Sequence, residues 1–409
     1  MSLLNTNVSN NKLTIKMCSK IDSNNIDKIQ NEINAILDSS TVLSVTINAE
    51  DLEYISSIGL RAMLSLKKRI NDFKIINVSD EVYDIFDMTR FTDIMNVSKV
   101  YRNLSINNCA VLGKGACGTV YKLSDETIVK VFVSGYELEK IEKERENSRN
   151  AFKNGINTAI PFDIVKVGEN YGLVYEIVNA ETLKDLMLKD CSKLTYLIEI
   201  YADSVKNMHN IIFDKECYPD MKTVWTEKIN NLNGVLNNDE KAAALKIISI
   251  IPDRKNFNHG DMNLSNLMIE NGKAVVIDIE DAVLGHPIFD VSFIYYLLKL
   301  LPELLPSDMC KLIQGFSKEE NQLMWCRFCE IYFGCNNSEE RALYEKNIHP
   351  YGIIKLMELI PFYYAVFDSA DDENKKYLPA LYVAFNTAVE KYKRELVETA
   401  EKENNTFLF

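Results

Sequence analysis

The sequence predicts two fold classes in one chain: a small α/β domain over residues 1–103, then a larger α+β domain that begins strand-rich and ends helical. Three observations carry this reading. Strand-like and helix-like patterns alternate three times before residue 90. A glycine-tipped hairpin pattern begins at Val111 and leads into an apolar strand carrying Lys130. The stretch His259–Asp290 sets Asp261, Asn266 and Asp278 around a second hairpin pattern, and helical periodicity dominates after it. At 409 residues the chain can hold two to three domains, each with its own core.

Composition narrows the partners. Hydrophobic content of 47% and charged content of 26% are ordinary for a globular protein. A net charge of −13 and a pI near 5.0 exclude a nucleic-acid backbone, which needs clustered Lys and Arg, and are compatible with a cationic substrate. The start MSLLNTNVSNN lacks the basic and apolar segments of a secretory signal. The longest apolar run, Val291 to Leu305, is broken by Lys299, Pro302 and Glu303, so no membrane partner is expected. Nine scattered cysteines, an odd number, read as reduced thiols in a cytoplasmic protein. Cys326, Cys329 and Cys335 have no nearby His and no second CxxC, so they fit a buried helix face better than a metal site.

In chain order, Leu13 to Met17 alternates as a strand, and Ile26, Ile29, Ile33 and Ile36 recur at helical spacing. Val42 to Ile47 is a second strand. Ile58, Leu60 and Leu64 begin a second helix, with Ser56 and Ser57 at its N-terminus. Phe73 to Val78 is a third strand, and Val82, Phe86 and Met88 begin a short helix. With ISSIGLRAML after a strand and EVYDIFDMTRFTDIM downstream, residues 1–103 resemble the STAS family of anti-sigma-factor antagonists. That resemblance implies a protein partner and makes Ser57, two before Gly59, the candidate phosphoacceptor. The family's preceding Asp is Ser56 here, and both serines also suit a plain helix cap.

Residues 104–180 read as a nucleotide-binding lobe. Gly113, Gly115 and Gly118 form a GxGxxG, which alone suits several folds. A dinucleotide-binding glycine loop would open a helix. Here Thr119 to Leu123 alternates and turns into a strand with Ile128, Lys130 and Phe132 on one face. That is the order in kinases, where glycines close over phosphates and the strand lysine reaches them. The polar helix Glu137 to Phe152 must then supply a Glu for Lys130. Ile141, Glu144, Ser148 and Ala151 share one face, which selects Glu144 over the solvent-facing Glu146. Strands at Asp163–Val167 and Tyr171–Ile177 follow.

Residues 181–409 read as a helical lobe containing the catalytic stretch. Leu194 to Ile211 is a long helix in which His209 packs or caps. Phe213 to Asn238 is polar and irregular, and reads as an insertion. In HGDMNLSNLMIENGKAVVID, the Asn271-Gly272 turn predicts a hairpin that brings Asn266 and Asp278 side by side, two oxygen ligands for a hard cation. HGDMNLSN resembles the catalytic loop of the aminoglycoside phosphotransferase and choline kinase families. The resemblance implies ATP and Mg2+ as cofactors, Asp261 as base, and Asn266 and Asp278 as metal ligands. It also implies Gly285, Pro287 and Asp290 as a segment bracing the loop, and the backbone of Glu176 and Val178 as the adenine hinge.

The whole reads as a STAS-like domain fused to a two-lobed, protein-kinase-like phosphotransferase. Asp290 follows Asp278 by only twelve positions, with no long activation segment between them. The expected acceptor is therefore the hydroxyl of a small molecule, which the acidic runs Glu280–Asp281 and Asp368–Glu373 would favour as a cation. The alternative is a regulatory module in an anti-sigma-type switch, whose kinase-like part phosphorylates protein, Ser57 included.

Overall fold

Asn10 and Asn11 have φ of 51° and 61°, a left-handed backbone that asparagine tolerates and that suits a tight hairpin. Strand Asn5–Ser9 therefore pairs antiparallel with Lys12–Lys16, Ser9 opposite Lys12. The structure, a computed structural model, describes residues 4–115, 117–213, 217–270, 272–368 and 378–402. Asn271 of the expected turn, and the acidic run from residue 369 onward, lie outside the described residues. The chain divides into two compact units, Met1–Ser105 with Ile164–Glu169, and Ile106–Asp163 with Asn170–Phe409.

The first unit is built on a five-stranded sheet ordered Asn5–Ser9, Lys12–Lys16, Ser44–Asn48, Asp72–Val78, Asn96–Lys99. All pairs after the first hairpin are parallel. Helices Ile26–Ser39, Ser57–Arg69 and Asp80–Met88 make the crossovers and bury Ile29, Ile33, Leu60, Met63 and Phe86 in one core with Leu13, Val45 and Ile75. This is the α/β class that the alternating pattern predicts. The two outer strands are additions to that reading, because NTNVS and NVSK are too polar to stand out. Ser56 is the cap of its helix, its Oγ accepting the Gly59 N–H at 3.4 Å. Ser57 is the first helical residue and is exposed. Gly59 has no room for a side chain, since a Cβ would stand 2.7 Å from Ile55 Cγ1 and 2.8 Å from Ile21 Cγ2.

In the second unit a sheet runs in the order Asn170–Glu176, Thr127–Phe132, Gly118–Lys122, Val111–Lys114. Helix Leu138–Lys153 buries Ile141, Glu144, Ser148 and Ala151, while Glu146 is exposed, as the helical spacing predicts. The remainder is helical, with Leu194–His209 packed on Lys318–Phe333. Strands Asn256–Asn258 and Val283–Gly285 pair antiparallel, as do Leu267–Glu270 and Lys273–Val276. Pro302 and a π-helical turn at Tyr296–Leu300 interrupt the apolar stretch after Asp290. Among the described residues no helix is long and apolar enough to cross a membrane.

One expectation is corrected here. Phe213 to Asn238 is not irregular throughout: helix Met221–Asn231 places Met221, Trp225 and Ile229 in the main core, with Phe213 stacked on Phe257 and Tyr218 edge-on to it. Their spacing of four puts the three on one helix face, and burying them outweighs the polar residues between.

Candidate active site

The strand Thr127–Phe132 and the helix Leu138–Lys153 put opposite charges face to face. Lys130 Nζ lies 3.0 and 3.1 Å from the Glu144 oxygens and 2.8 Å from Asp278 Oδ1. The Tyr175 hydroxyl donates to Glu144 Oε1 at 2.6 Å. Burial alone would lower the Lys130 ammonium's proton affinity, but Glu144 and Asp278 overcome it and hold its pKa above the usual lysine value. The Glu144 carboxyl is pushed up by burial, against the attraction of Lys130. Asp278 has φ of 62°, uncommon for a non-glycine residue. Glu144, Asp278 and Glu280 each bring a carboxylate oxygen within 4.8 Å of the others. Glu280 also accepts from the Tyr136 hydroxyl.

The His259–Asn266 loop is held from beneath by Asp290. This fully buried carboxylate accepts the His259 N–H at 2.6 Å and the Gly260 N–H at 2.8 Å, with His209 Nε2 at 3.1 Å. Burial alone would raise its pKa, but the His209 hydrogen bond, His259 and the Gly260 N–H hold it below the ordinary value. His259 Nε2 donates to the Ile277 carbonyl at 2.9 Å, leaving Nδ1 to accept the Asp261 N–H at 3.3 Å. Gly260 has φ of 87°, and a Cβ there would run into the Asp281 carbonyl. At the loop mouth the Asn266 amide donates to Asp261 O at 2.8 Å and Oδ2 at 2.9 Å, and Asn263 donates to the same Oδ2 at 3.1 Å. Burial raises the Asp261 pKa, although His259 and these two donors pull it down.

Both groups open onto one cleft of about 1240 Å³, which Gly113, Gly115, Gly118, Glu176 and Val178 also line. Gly118 is required by contact, since a Cβ would meet the Val131 carbonyl. Gly113 has open space beside it, so nothing in the protein demands a glycine there. Glu176 is tied to Ile160 through its backbone N–H at 3.0 Å and its Oε1 at 2.9 Å. The hairpin brings Asn266 and Asp278 to neighbouring positions, Ile277 N–H donating to the Asn266 carbonyl at 3.0 Å. Ser57 lies in the other unit.

The profile of the phosphotransferase enzyme family matches residues 108–306, and that of the STAS domain matches residues 4–105. The chain joins a STAS domain to a phosphotransferase domain. No curated protein matches the sequence. Among solved structures the chain is similar to the ADP-bound aminoglycoside phosphotransferase APH(2'')-Ib, at 17% identity and TM-score 0.43, covering 74% of this chain and 95% of that one. A streptomycin–ATP ternary complex of APH(2'')-IIa gives 16% identity and TM-score 0.44, covering 78% and 99%. A choline/ethanolamine kinase family protein from Mesorhizobium loti gives 11% identity and TM-score 0.41, covering 71% and 92%.

The phosphotransferase domain also holds polar residues that the sequence reading missed. Asn147, on the Glu144 helix, donates to the Ile279 and Glu280 carbonyls at 3.3 and 3.1 Å, fixing the segment that carries Asp278. A second cavity, of about 570 Å³, adjoins Asp261 and is lined by Lys228, Lys355 and Glu358. Lys355 and Glu358 are three apart on helix Ser338–Asp368, a spacing visible in the sequence, but such a pair usually marks a solvated face.

Proposed function

We propose that the phosphotransferase domain moves the γ-phosphoryl group of ATP, with magnesium, to the hydroxyl of a small molecule. The observation that carries this is the meeting of two clusters on one cleft, Lys130–Glu144–Asp278 and Asp261–Asn266. The donor set suits a hard divalent cation: carboxylates of Asp278 and Glu280 converge, and Asn266, its amide nitrogen engaged by Asp261, keeps its Oδ1 for a further ligand. Asp278, Glu280 and Asn266 would hold magnesium, which would supply positive charge against the phosphates during transfer. Lys130, aimed by Glu144, would contact the α- and β-phosphates, beneath the glycine loop. Asp261 would hold the acceptor hydroxyl in line and take its proton as oxygen bonds to the γ-phosphorus and the bond to the β-phosphate oxygen breaks.

The cavity beside Asp261 and the short run from Asp278 to Asp290 favour a small acceptor over a protein chain. The test is Mg-ATP turnover against a panel of alcohols, with Asp261→Ala as the blank. Turnover that survives this substitution, or a panel with no phosphorylated alcohol, would remove the reading.

A second reading rests on Ser57. Because Ser56 supplies the helix cap, the exposed Ser57 hydroxyl is left for modification at a helix N-terminus, where free N–H groups stabilise a phosphate. On this reading the STAS domain binds a partner protein, and phosphate on Ser57 weakens that contact. Mapping phosphate by mass spectrometry after incubation with Mg-ATP, with Ser57→Ala alongside, decides it.

A further inference from the structure

The cavity next to Asp261 has an apolar wall, made by Phe293, Leu297, Leu301, Phe316 and Leu359, and a charged floor. At that floor two lysines share one carboxylate. Lys355 Nζ lies 3.2 Å from Glu358 Oε2, and Lys228 Nζ pairs with Glu358 Oε1. The Trp225 indole N–H also donates to Glu358 Oε2, at 3.3 Å, so the single anion is fully engaged. Lys355 is 3% exposed, and its ammonium stands 4.1 Å from the centre of the Phe289 ring. The cavity's other charges are Lys184 and, by the catalytic loop, Asp261 and Asp281. Lys228 feels Asp281 and Asp261 as well as Glu358, whereas the deeper Lys355 is ion-paired with Glu358 and has Lys228 beside it.

We propose that the acceptor of this phosphotransferase is an alcohol that also carries an anionic group, held by Lys228 and Lys355, with an apolar body between the two ends. This deepens the phosphotransferase reading and rests on it for the fate of the hydroxyl. A carboxylate or a phosphate has the required chemistry, since Lys228 and Lys355 share Glu358 as their ion-paired carboxylate among the described residues, and either group would bring another anion into direct contact. Burial, with Lys228 adding to it, pushes the Lys355 ammonium down despite Glu358, and an arriving anion would relieve both effects. A cationic alcohol, by contrast, would place its charge against two lysines in a cavity walled by hydrocarbon. The run Glu280–Asp281, which suggested a cation from the sequence, lies at the Asp261 end, where Glu280 is engaged by Tyr136.

The test is binding, which needs no turnover. The intact protein is titrated without ATP against three matched probes: ω-hydroxyoctanoate, the corresponding diol and the corresponding ω-amino alcohol. ω-Hydroxyalkyl phosphate of the same length distinguishes phosphate from carboxylate as the preferred anion. Calorimetry reads affinity, and the indole emission reports on the floor, because Trp225 touches Glu358 there. The expected result is that at least one anionic probe binds about tenfold or more tightly than the diol and the amino alcohol, the effect of a charged hydrogen bond made in a buried site. Lys355→Met and, separately, Lys228→Met should erase that preference. ATP binding on the same samples reports that each variant is folded, and Lys228, the more exposed of the two, serves if Lys355→Met does not fold. Equal or tighter binding of the amino alcohol, no binding of either anionic probe at millimolar concentration, or a preference that survives both substitutions would overturn the proposal. An anion preference without phosphorylation of any probe would instead leave this site standing and count against the phosphotransfer reading.

Discussion

Glu144, its side chain 1% exposed, grips the Lys130 ammonium with both carboxylate oxygens, at 3.0 and 3.1 Å. The lysine is thereby aimed before any nucleotide arrives, and preorganised charge is where catalytic electrostatics gain most. Lys130→Ala should lower kcat by about 10²–10³-fold. Glu144→Gln should lower it by about tenfold, because the amide leaves Lys130 leaning on Asp278 alone. Steady-state kinetics with thermal melts alongside check both. Normal turnover in folded Lys130→Ala protein would remove the lysine from the mechanism.

Asp278→Ala should leave the protein folded and abolish magnesium-dependent turnover. ATP affinity measured with and without magnesium reads the effect directly. In the wild type the metal should strengthen binding, and in the variant that gain should vanish. A magnesium dependence that survived would move the cation to other ligands, Glu280 first.

The buried Asp290 links the loop to pH. Its folded pKa is depressed below the usual 3.8, so its stabilisation is present above the unfolded value and is lost as pH falls through the folded one. Asp290→Ala orphans the His259 and Gly260 N–H groups and His209, and should cost about 3–5 kcal/mol at neutral pH. The gap between denaturant melts of wild type and variant should narrow as the pH falls below the ordinary aspartate value of 3.8. A gap that stayed constant would place the aspartate's contribution in packing alone.

For Asp261 the sign is opposite. Burial lifts its pKa, so the acid limb of the rate profile should fall at a pH above the ordinary 3.8 of an aspartate. Asn263 and Asn266 lower that pKa by donating to it. Asn263→Ala should therefore move the acid limb to higher pH, with kcat at the plateau far less affected. A limb shifted to lower pH would contradict the hydrogen bond.

The order of elements was readable because each carries a local pattern. The face Ile141, Glu144, Ser148 named the buried glutamate, and the Asn-Gly turn named the hairpin beside Asn266 and Asp278. Residues whose meaning is set by distant neighbours were not readable. Trp225 sits among Lys, Thr and Asn, and only its spacing of four from Met221 and Ile229 hints that the helix is buried. Asn147 reads as one polar residue on a polar helix until the Ile279 and Glu280 carbonyls, more than a hundred residues away, come to it. Lys355 and Glu358 look like a solvated pair, because nothing local says that Phe289 and Trp225 close over them. The first and last strands of the STAS domain were lost for a related reason: as sheet edges they need few apolar residues.

The thirteen residues from Asp278 to Asp290 are pinned along their length. Asn147 takes the Ile279 and Glu280 carbonyls, Val283–Gly285 is paired with Asn256–Asn258, and Asp290 is locked under His259. No stretch between them is long enough to swing out and back, so this segment cannot serve as a latch thrown by phosphorylation. Its throughput would then follow whatever concentrations of nucleotide and acceptor surround it. A catalyst held this way would work as a meter of supply, with any timing signal acting outside this segment.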